Sequence, residues 1–500
     1  MHWQASHTCQ RTTHNETKEI SMIAPPYLRM LTDEEVRRVY QASLQILAQT
    51  GMTVEHERAR LMLEAAGAQV DHDAQMVRFP PELVEEKLKL VPRVTPYHGR
   101  TPDFDFALTL DGDIYGRVAG GATGYIDLHT GKHRRARLAD WREFATLVDA
   151  LPNVNVVATL HCGDVSLKTA DIHSLHVLLT SQRKNIVHNA FSAQNLRIMF
   201  DMLATVFGSR EAVAERPQMH VMLSPISPLY LNADDTEQLL MACEFGLPTD
   251  IPIMPTAGTT GPITLAGTLA LANAEFLGTM TLAQTARPGH IMPFFVDPVV
   301  ADMKTGNPLF AAPEIGILVA AISQLGREVY AMPPEGIGLD SDGFTVEQAV
   351  FQKCQNTVFQ ALAGGKLIIG AGLVEASMAL DPVQLVIDDE ILSIARRWTR
   401  GMRVDDETLA VDVIHRVGPR GHFLMEEHTL KLVRSGELID TKIFDRDRRD
   451  VWEMKGSKSP AQKAHEKALS ILEKHQVPPL PDAVLRELDR IVRAADAQHD

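Results

Sequence analysis

Apolar residues recur in two alternating rhythms along this chain. From about residue 113, short continuous apolar runs are each followed by roughly 15 residues with the i, i+3, i+4 spacing of a helix. The runs are IYGRVAG near 114–120, VNVVATL at 154–160, NIVHNAF at 185–191 and HVMLSP at 220–225. IPIMPTA at 251–257, HIMPFFV at 290–296, VYAMPP at 329–334 and KLIIGAG at 366–372 complete the set. Helical segments start near Ala139, Thr169, Asn195, Asp234, Thr264, Pro313, Thr345 and Pro382. Strands that are apolar throughout must be covered on both faces. Eight such units over 113–402 predict an α/β fold, a (β/α)8 TIM barrel, with an open doubly wound sheet as the alternative. GATGYIDLHTGKHRRARL after the first run predicts a hairpin insertion turning at Thr130-Gly131.

The flanks read differently. Residues 26–112 predict a helical N-terminal extension, in which Thr32 caps a helix, Glu35 stands three residues on and Gly51 stops it. Residues 403–500 predict a C-terminal helical segment packed on the barrel. Its last two amphipathic helices flank VPPLPD and suit packing on the barrel or on a second copy of the chain. Residues 1–25 are polar, lack the apolar core of a secretion signal, and are read as a disordered tail.

Charge narrows the partners. The formal net charge is −15, which argues against nucleic acid and leaves a small cation as a congenial ligand. The four cysteines form no CxxC pair, so no disulfide framework is expected and an intracellular, cytoplasmic protein is. The apolar stretch GTLALANAEFLGTMTLAQTA carries Asn273 and Glu275, which suits a helix against a sheet better than a membrane span.

A barrel gathers its chemistry at the C-terminal ends of its strands. Those ends bring His161, His188 and Asn189, then Ser224 and Ser227, then Thr256, Thr259 and Thr260. Phe294, Phe295 and Asp297 follow, then Glu335, Asp340 and Asp342, then Glu375. MPPEGIGLDSDGF concentrates three glycines and three acids, as a pocket wall would. HExxH, CxxC, GxSxG and GxxxxGK[ST] are all missing. DIHSLH at 171–176 approaches the Asp-x-His-x-x-Gly signature of cobalamin carriers, but His176 replaces the glycine and the segment reads as a surface helix. PTAGTTGPIT at 255–264 fits either an anion cradle at a helix N-terminus or a capped tight turn.

Longer stretches carry a resemblance. PTAGTTGPITLAGTLALANAEFLGTMTLAQTARPG (255–289), DMKTGNPLFAAPE (302–314), KLIIGAGLVEASMALDPVQLVIDDEIL (366–392) and GPRGHFLMEEHTL (418–430) resemble the trimethylamine methyltransferase family. The likeness runs over roughly residues 25–480. It implies a (β/α)8 barrel and transfer of a methyl group from a methylated amine to the cobalt of a separate corrinoid protein docked over the mouth, with no cofactor held tightly by this chain. Trimethylamine members carry pyrrolysine; GIGLDSDGF holds only ordinary residues. Pyrrolysine-free members resemble demethylases of quaternary amines such as glycine betaine, proline betaine or carnitine.

A quaternary nitrogen leaves as a neutral amine, so the enzyme has little acid–base work and no residue with a covalent role is expected. Phe294, Phe295 and Tyr330 are candidates for a cation–π wall, although strand alternation sends one Phe of the pair outward. Glu335 and Asp340, with Asp342, are candidates to balance the cation. His188, Asn189, Thr259 and Thr260 are candidate donors to a betaine carboxylate. Two rivals remain: a metal-dependent barrel lyase or aldolase, and a non-catalytic quaternary-amine binding protein.

Overall fold

The computed structural model describes residues 27–499; the expected tail over 1–25 lies outside them. Eight parallel strands form the centre: β1 (Tyr115–Arg117), β2 (Val154–Ala158), β3 (Asn185–His188), β4 (Met219–Met222), β5 (Thr249–Asp250), β6 (Phe294–Phe295), β7 (Pro334–Ile337) and β8 (Leu367–Ile369). Each pairs with its neighbour in chain order except β5 with β6, and β8 pairs back onto β1. The remaining seam closes through Thr249 N–H to Ile291 O (3.1 Å), Asp297 N–H to Ile253 O (2.8 Å) and a bridge between Ile253 and Val296. The expected (β/α)8 barrel is therefore the fold.

A helix follows every strand: α1 (Leu138–Ala150), α2 (Ala170–Ser181), α3 (Ala193–Phe207), α4 (Ala233–Phe245), α5 (Leu265–Ala286), α6 (Pro313–Leu325), α7 (Val346–Ala363) and α8 (Pro382–Arg400). α5 is buried almost all round. Its small residues permit this: a Cβ on Gly278 would stand 2.2 Å from Met52 Sδ. Among the described residues no helix is long and apolar enough to cross a membrane.

Two strands differ from their sequence reading. The fifth joins the ladder at Thr249–Asp250 rather than at 251–257, because prolines at 248, 252 and 255 remove donors that a longer ladder requires. The seventh is Pro334–Ile337, not 329–334. Residues Gly326–Tyr330 instead prolong α6 as a π turn, and the chain reverses at Ala331 with φ 50°. This shift carries Glu335 off the expected mouth loop and into the wall.

The extension is mixed rather than wholly helical. Asp33–Gln45, capped by Thr32 and Glu35 as expected, and Pro81–Leu88 pack on α5. Between them Met52–Val54 pairs with Met76–Arg78. The strands Thr95–Tyr97 and Phe106–Leu108 form a hairpin at the N-terminal end of the barrel. Phe106 stacks on Tyr115 at 4.1 Å, and Tyr97 on His220 at 4.3 Å. The hairpin thus plugs the bottom. The insertion after β1 is a hairpin, Gly124–Ile126 with His133–Arg135, whose turn holds Gly131 at φ 67°. At the C-terminal end Pro460–Lys474 lies against α8 and α1, and Asp482–His499 against α2 and α3.

Candidate active site

Register decides which side chains enter the lumen. Arg117 lies opposite Ile369 and Ile369 opposite Ile337. Glu335, two residues before Ile337, therefore shares the inner face, as does Phe295, which pairs with Glu335. The same walk places Val187, His220, Met222 and Asp250 inside.

These residues meet in one buried layer. Arg117 Nη1 donates to Asp250 Oδ2 at 2.7 Å and stands 3.8 Å from Glu335 Oε2. Its guanidinium lies over Phe295 at 5.2 Å. Tyr97 OH donates to Glu335 Oε1 at 2.8 Å. Burial pushes Glu335 well above the usual carboxylate range, with Asp250 adding repulsion. Asp250 is raised for the same first reason, against the pull of Arg117. Burial also holds His220 down at about 3, so this imidazole stays neutral.

One turn nearer the mouth stands Asp297. Its Oδ1 accepts from Ile337 N–H at 3.1 Å, and burial raises its pKa to about 7. Asp250 Oδ1, Glu335 Oε2 and Asp297 Oδ2 are buried and have no hydrogen-bond partner among the described residues. Two carboxyl groups thus flank one guanidinium, and a third stands nearer the mouth within reach of its charge. Asn189, inward by alternation, adds an unpartnered amide oxygen at the mouth.

Other expected residues lie elsewhere. Phe294 is the outward member of its pair, packed edge-on against Phe276 at 4.8 Å. Tyr330 sits in the same outer layer, where its hydroxyl donates to Asn273 Oδ1 at 2.7 Å. Neither faces the mouth, because the π turn leaves Tyr330 on the helix side. His188 also points outward, between the Thr159 hydroxyl and Asp171 O. Thr259 and Thr260 fold back on their own loop, Thr260 Oγ1 accepting from Thr256 N–H at 2.8 Å. DIHSLH is helical but not a free surface: His173 and His176 meet Asp496 and Asp489 of the last helix.

Asp340 and Asp342 position loops. Asp340 accepts from Ser341 N–H and from the Ser377 hydroxyl, and burial raises it to about 6. Asp342 accepts from Phe310 and Ala311 N–H at 2.7 and 3.1 Å. Behind them buried Lys353 donates to Leu339 O (2.6 Å) and Asp388 Oδ2 (2.7 Å), tying β7 to α8. Gly370, with φ 112°, lets β8 end against this loop; a Cβ there would lie 2.5 Å from Leu339 C.

The trimethylamine methyltransferase (MTTB) family model matches residues 4–498. The chain belongs to the trimethylamine methyltransferase family. It is accordingly a methyltransferase. It is 30% identical over 471 residues to the trimethylamine methyltransferase MttB of Desulfitobacterium hafniense, covering 94% of each chain. It is 28% identical over 477 residues to a glycine betaine methyltransferase of another strain of that species, covering 95% of this chain and 97% of the relative. The monomethylamine methyltransferase MtmB of Methanosarcina barkeri shares the barrel, with a TM-score of 0.50 at 10% identity over 89% of this chain and 93% of that one.

Arg117, Asp250 and Tyr97 escaped the sequence reading. Arg117 left one signal, a lone charge inside the apolar run IYGRVAG.

Proposed function

We propose that this methyltransferase takes a methyl group from a quaternary amine, glycine betaine or a close analogue such as proline betaine or carnitine, and passes it to Co(I) of a separate corrinoid protein. The observation that carries the substrate class is the charge balance of the lumen. Asp250, Glu335 and Asp297 outnumber Arg117, and each keeps an unpartnered oxygen. Buried carboxylates are costly unless a cation or a proton compensates them. A quaternary ammonium seated between Asp297 and Asn189, above the Phe295 ring, supplies that cation. Asn189 and the backbone of the mouth are left to orient the substrate's carboxylate.

The chain's own work is binding, orientation and exclusion of water. The corrinoid supplies the electron pair that accepts the methyl carbon, while the C–N pair stays on nitrogen and the amine leaves neutral. No proton moves in that step, which agrees with a lumen whose histidine is held neutral.

The mouth suits a protein partner. Seven of the eight strand-to-helix connections present an exposed large apolar side chain, among them Leu167, Ile226, Met303, Phe344 and Met378. Such a ring around a site entrance supports docking of a protein partner there.

The test mixes the chain with a reduced corrinoid protein and each of glycine betaine, proline betaine, carnitine and trimethylamine. Loss of Co(I) absorbance and release of the demethylated amine are expected with a quaternary amine. Phe344→Glu is expected to raise the KM for the corrinoid protein about tenfold, a loss near 1.4 kcal/mol, with the KM for the amine unchanged. Failure with every onium compound in the presence of a competent acceptor would falsify the reading. Binding without turnover would favour a sensing protein, and turnover without acceptor a lyase or aldolase.

A further inference from the structure

We infer that the segment following α8 is a self-association arm and that its apolar face is covered by the same segment of a second copy of this chain. From Gly401 through Lys442 no residue is buried, and Ile443 is the first that is. The segment is nevertheless built of helices, including Val411–Val417 and Glu427–Arg434. Helices this short do not hold in water without packing. Their apolar side chains face outward: Val411 and Ile414 on one helix, Leu430 and Val433 on the other, with Phe423 and Leu424 between. Eleven large apolar residues of this segment are exposed, at 44–83%. Together they present on the order of 1,000 Å² of apolar-residue surface, more than the ~800 Å² each partner contributes to a standard interface. The largest apolar patch on a monomer is usually about 300–600 Å².

The arm offers a partner little net charge. The arm's six Lys and Arg stand against eight Asp and Glu, a net −2 in a chain of −15. Many of these charges are satisfied within the arm: Arg403 and Lys431 both hold Glu407, Arg416 holds Glu426, and His428 Nε2 lies 2.9 Å from Glu407 O. The face is thus tied in shape and left apolar outside, as a two-fold interface requires. Its place excludes the mouth. The arm leaves the C-terminal end of α8, where Arg396 Nε donates to Ile114 O at the start of β1. That is the bottom rim of the barrel, at the far end from the docking ring. The chain's first 26 residues are mostly polar and match this face poorly.

The test is sedimentation velocity of the full chain from 1 to 50 µM (roughly the range over which weak dimers dissociate), with hydrogen exchange at both ends of the range. A dimer or higher oligomer is expected for the natural chain, and a monomer for Leu430→Asp/Val433→Asp with its catalytic turnover retained. Exchange over 427–434 is expected to slow as concentration rises, a readout that needs no variant. A natural chain that stays monomeric with concentration-independent exchange overturns the inference. So does a variant that keeps the natural oligomer. A natural monomer whose arm exchanges faster after removal of residues 1–26 assigns the face to the chain's own tail and also overturns it.

Discussion

Arg117→Met is expected to lower stability by about 3–5 kcal/mol, because it leaves Asp250 and Glu335 buried beside each other without the guanidinium. The midpoint of thermal unfolding should fall by roughly 5–10 °C. Neither carboxyl can turn to water, since both lie within the barrel wall. The loss should depend on pH. Both acids already have raised pKa values through burial, and removing Arg117 raises them further. Raised acids hold protons that the unfolded chain releases above the ordinary carboxylate range, so the cost of the variant grows as pH rises from about 5 to about 8. Thermal melts at the two pH values check this, and a loss that is larger at pH 5 would contradict the account.

The companion variant separates stability from function. Replacing the whole ionic set, Arg117→Met with Asp250→Val and Glu335→Leu, should recover most of the lost stability, because well-packed apolar residues commonly replace a buried ionic group at little cost. The same variant should lose quaternary-amine demethylation. Such an outcome would show that the layer is kept for the ligand rather than for the fold.

Much of the fold was legible because its cause is local. A strand covered on both faces must be apolar throughout, and eight such runs in alternation with helices leave few architectures. Boundaries failed where a local rule lost to tertiary packing. VYAMPP has the composition of a strand, yet Val329 and Tyr330 finish a helix so that Tyr330 can reach Asn273 and Phe276. Prolines 248, 252 and 255 shorten the fifth ladder in a way that an apolar count does not register.

The site was legible only in part, for a different reason. Reading strand ends found Asn189, Phe295, Asp297 and Glu335, but it weighted His188, Phe294 and Tyr330 equally. Inward and outward differ by one residue of register. Alternation allowed one of Phe294 and Phe295 inside; the pairing of Phe295 with Glu335 decided which. The counter-charge was hidden altogether. Arg117 and Asp250 lie 133 positions apart in sequence and meet at 2.7 Å across the lumen. Tyr97 arrives from an extension that nothing in its sequence ties to the barrel. Closure of the barrel creates those contacts, so no window of neighbouring residues contains them.

Asp297 supplies the second large effect. Its carboxyl titrates near pH 7 in the folded chain because it is buried, against an ordinary value near 3.9 when unfolded. The folded chain therefore holds a proton that the unfolded chain has released between about pH 4 and 7, and this group's contribution to stability falls as pH rises through that window. Above pH 7 the cost is complete, at most about 4 kcal/mol for a shift of some three units. Asp297→Asn removes it and should stabilise the chain at pH 8 by about 2–4 kcal/mol, while little gain is expected at pH 4. Ligand affinity moves the other way. In the proposed binding mode the ionised carboxylate holds the ammonium, so KM for the quaternary amine should fall as pH rises through 7, and binding at pH 6.5 should release part of a proton, measurable by calorimetry in buffers of different ionisation enthalpy. In Asp297→Asn both signatures should vanish and KM at pH 8 should rise about tenfold, a loss near 1.4 kcal/mol. A variant that gains stability but keeps its KM and proton release would place the cation away from Asp297. The proposed cation site requires these opposed signs: a carboxyl that costs the fold stability at neutral pH and there gains affinity for an ammonium.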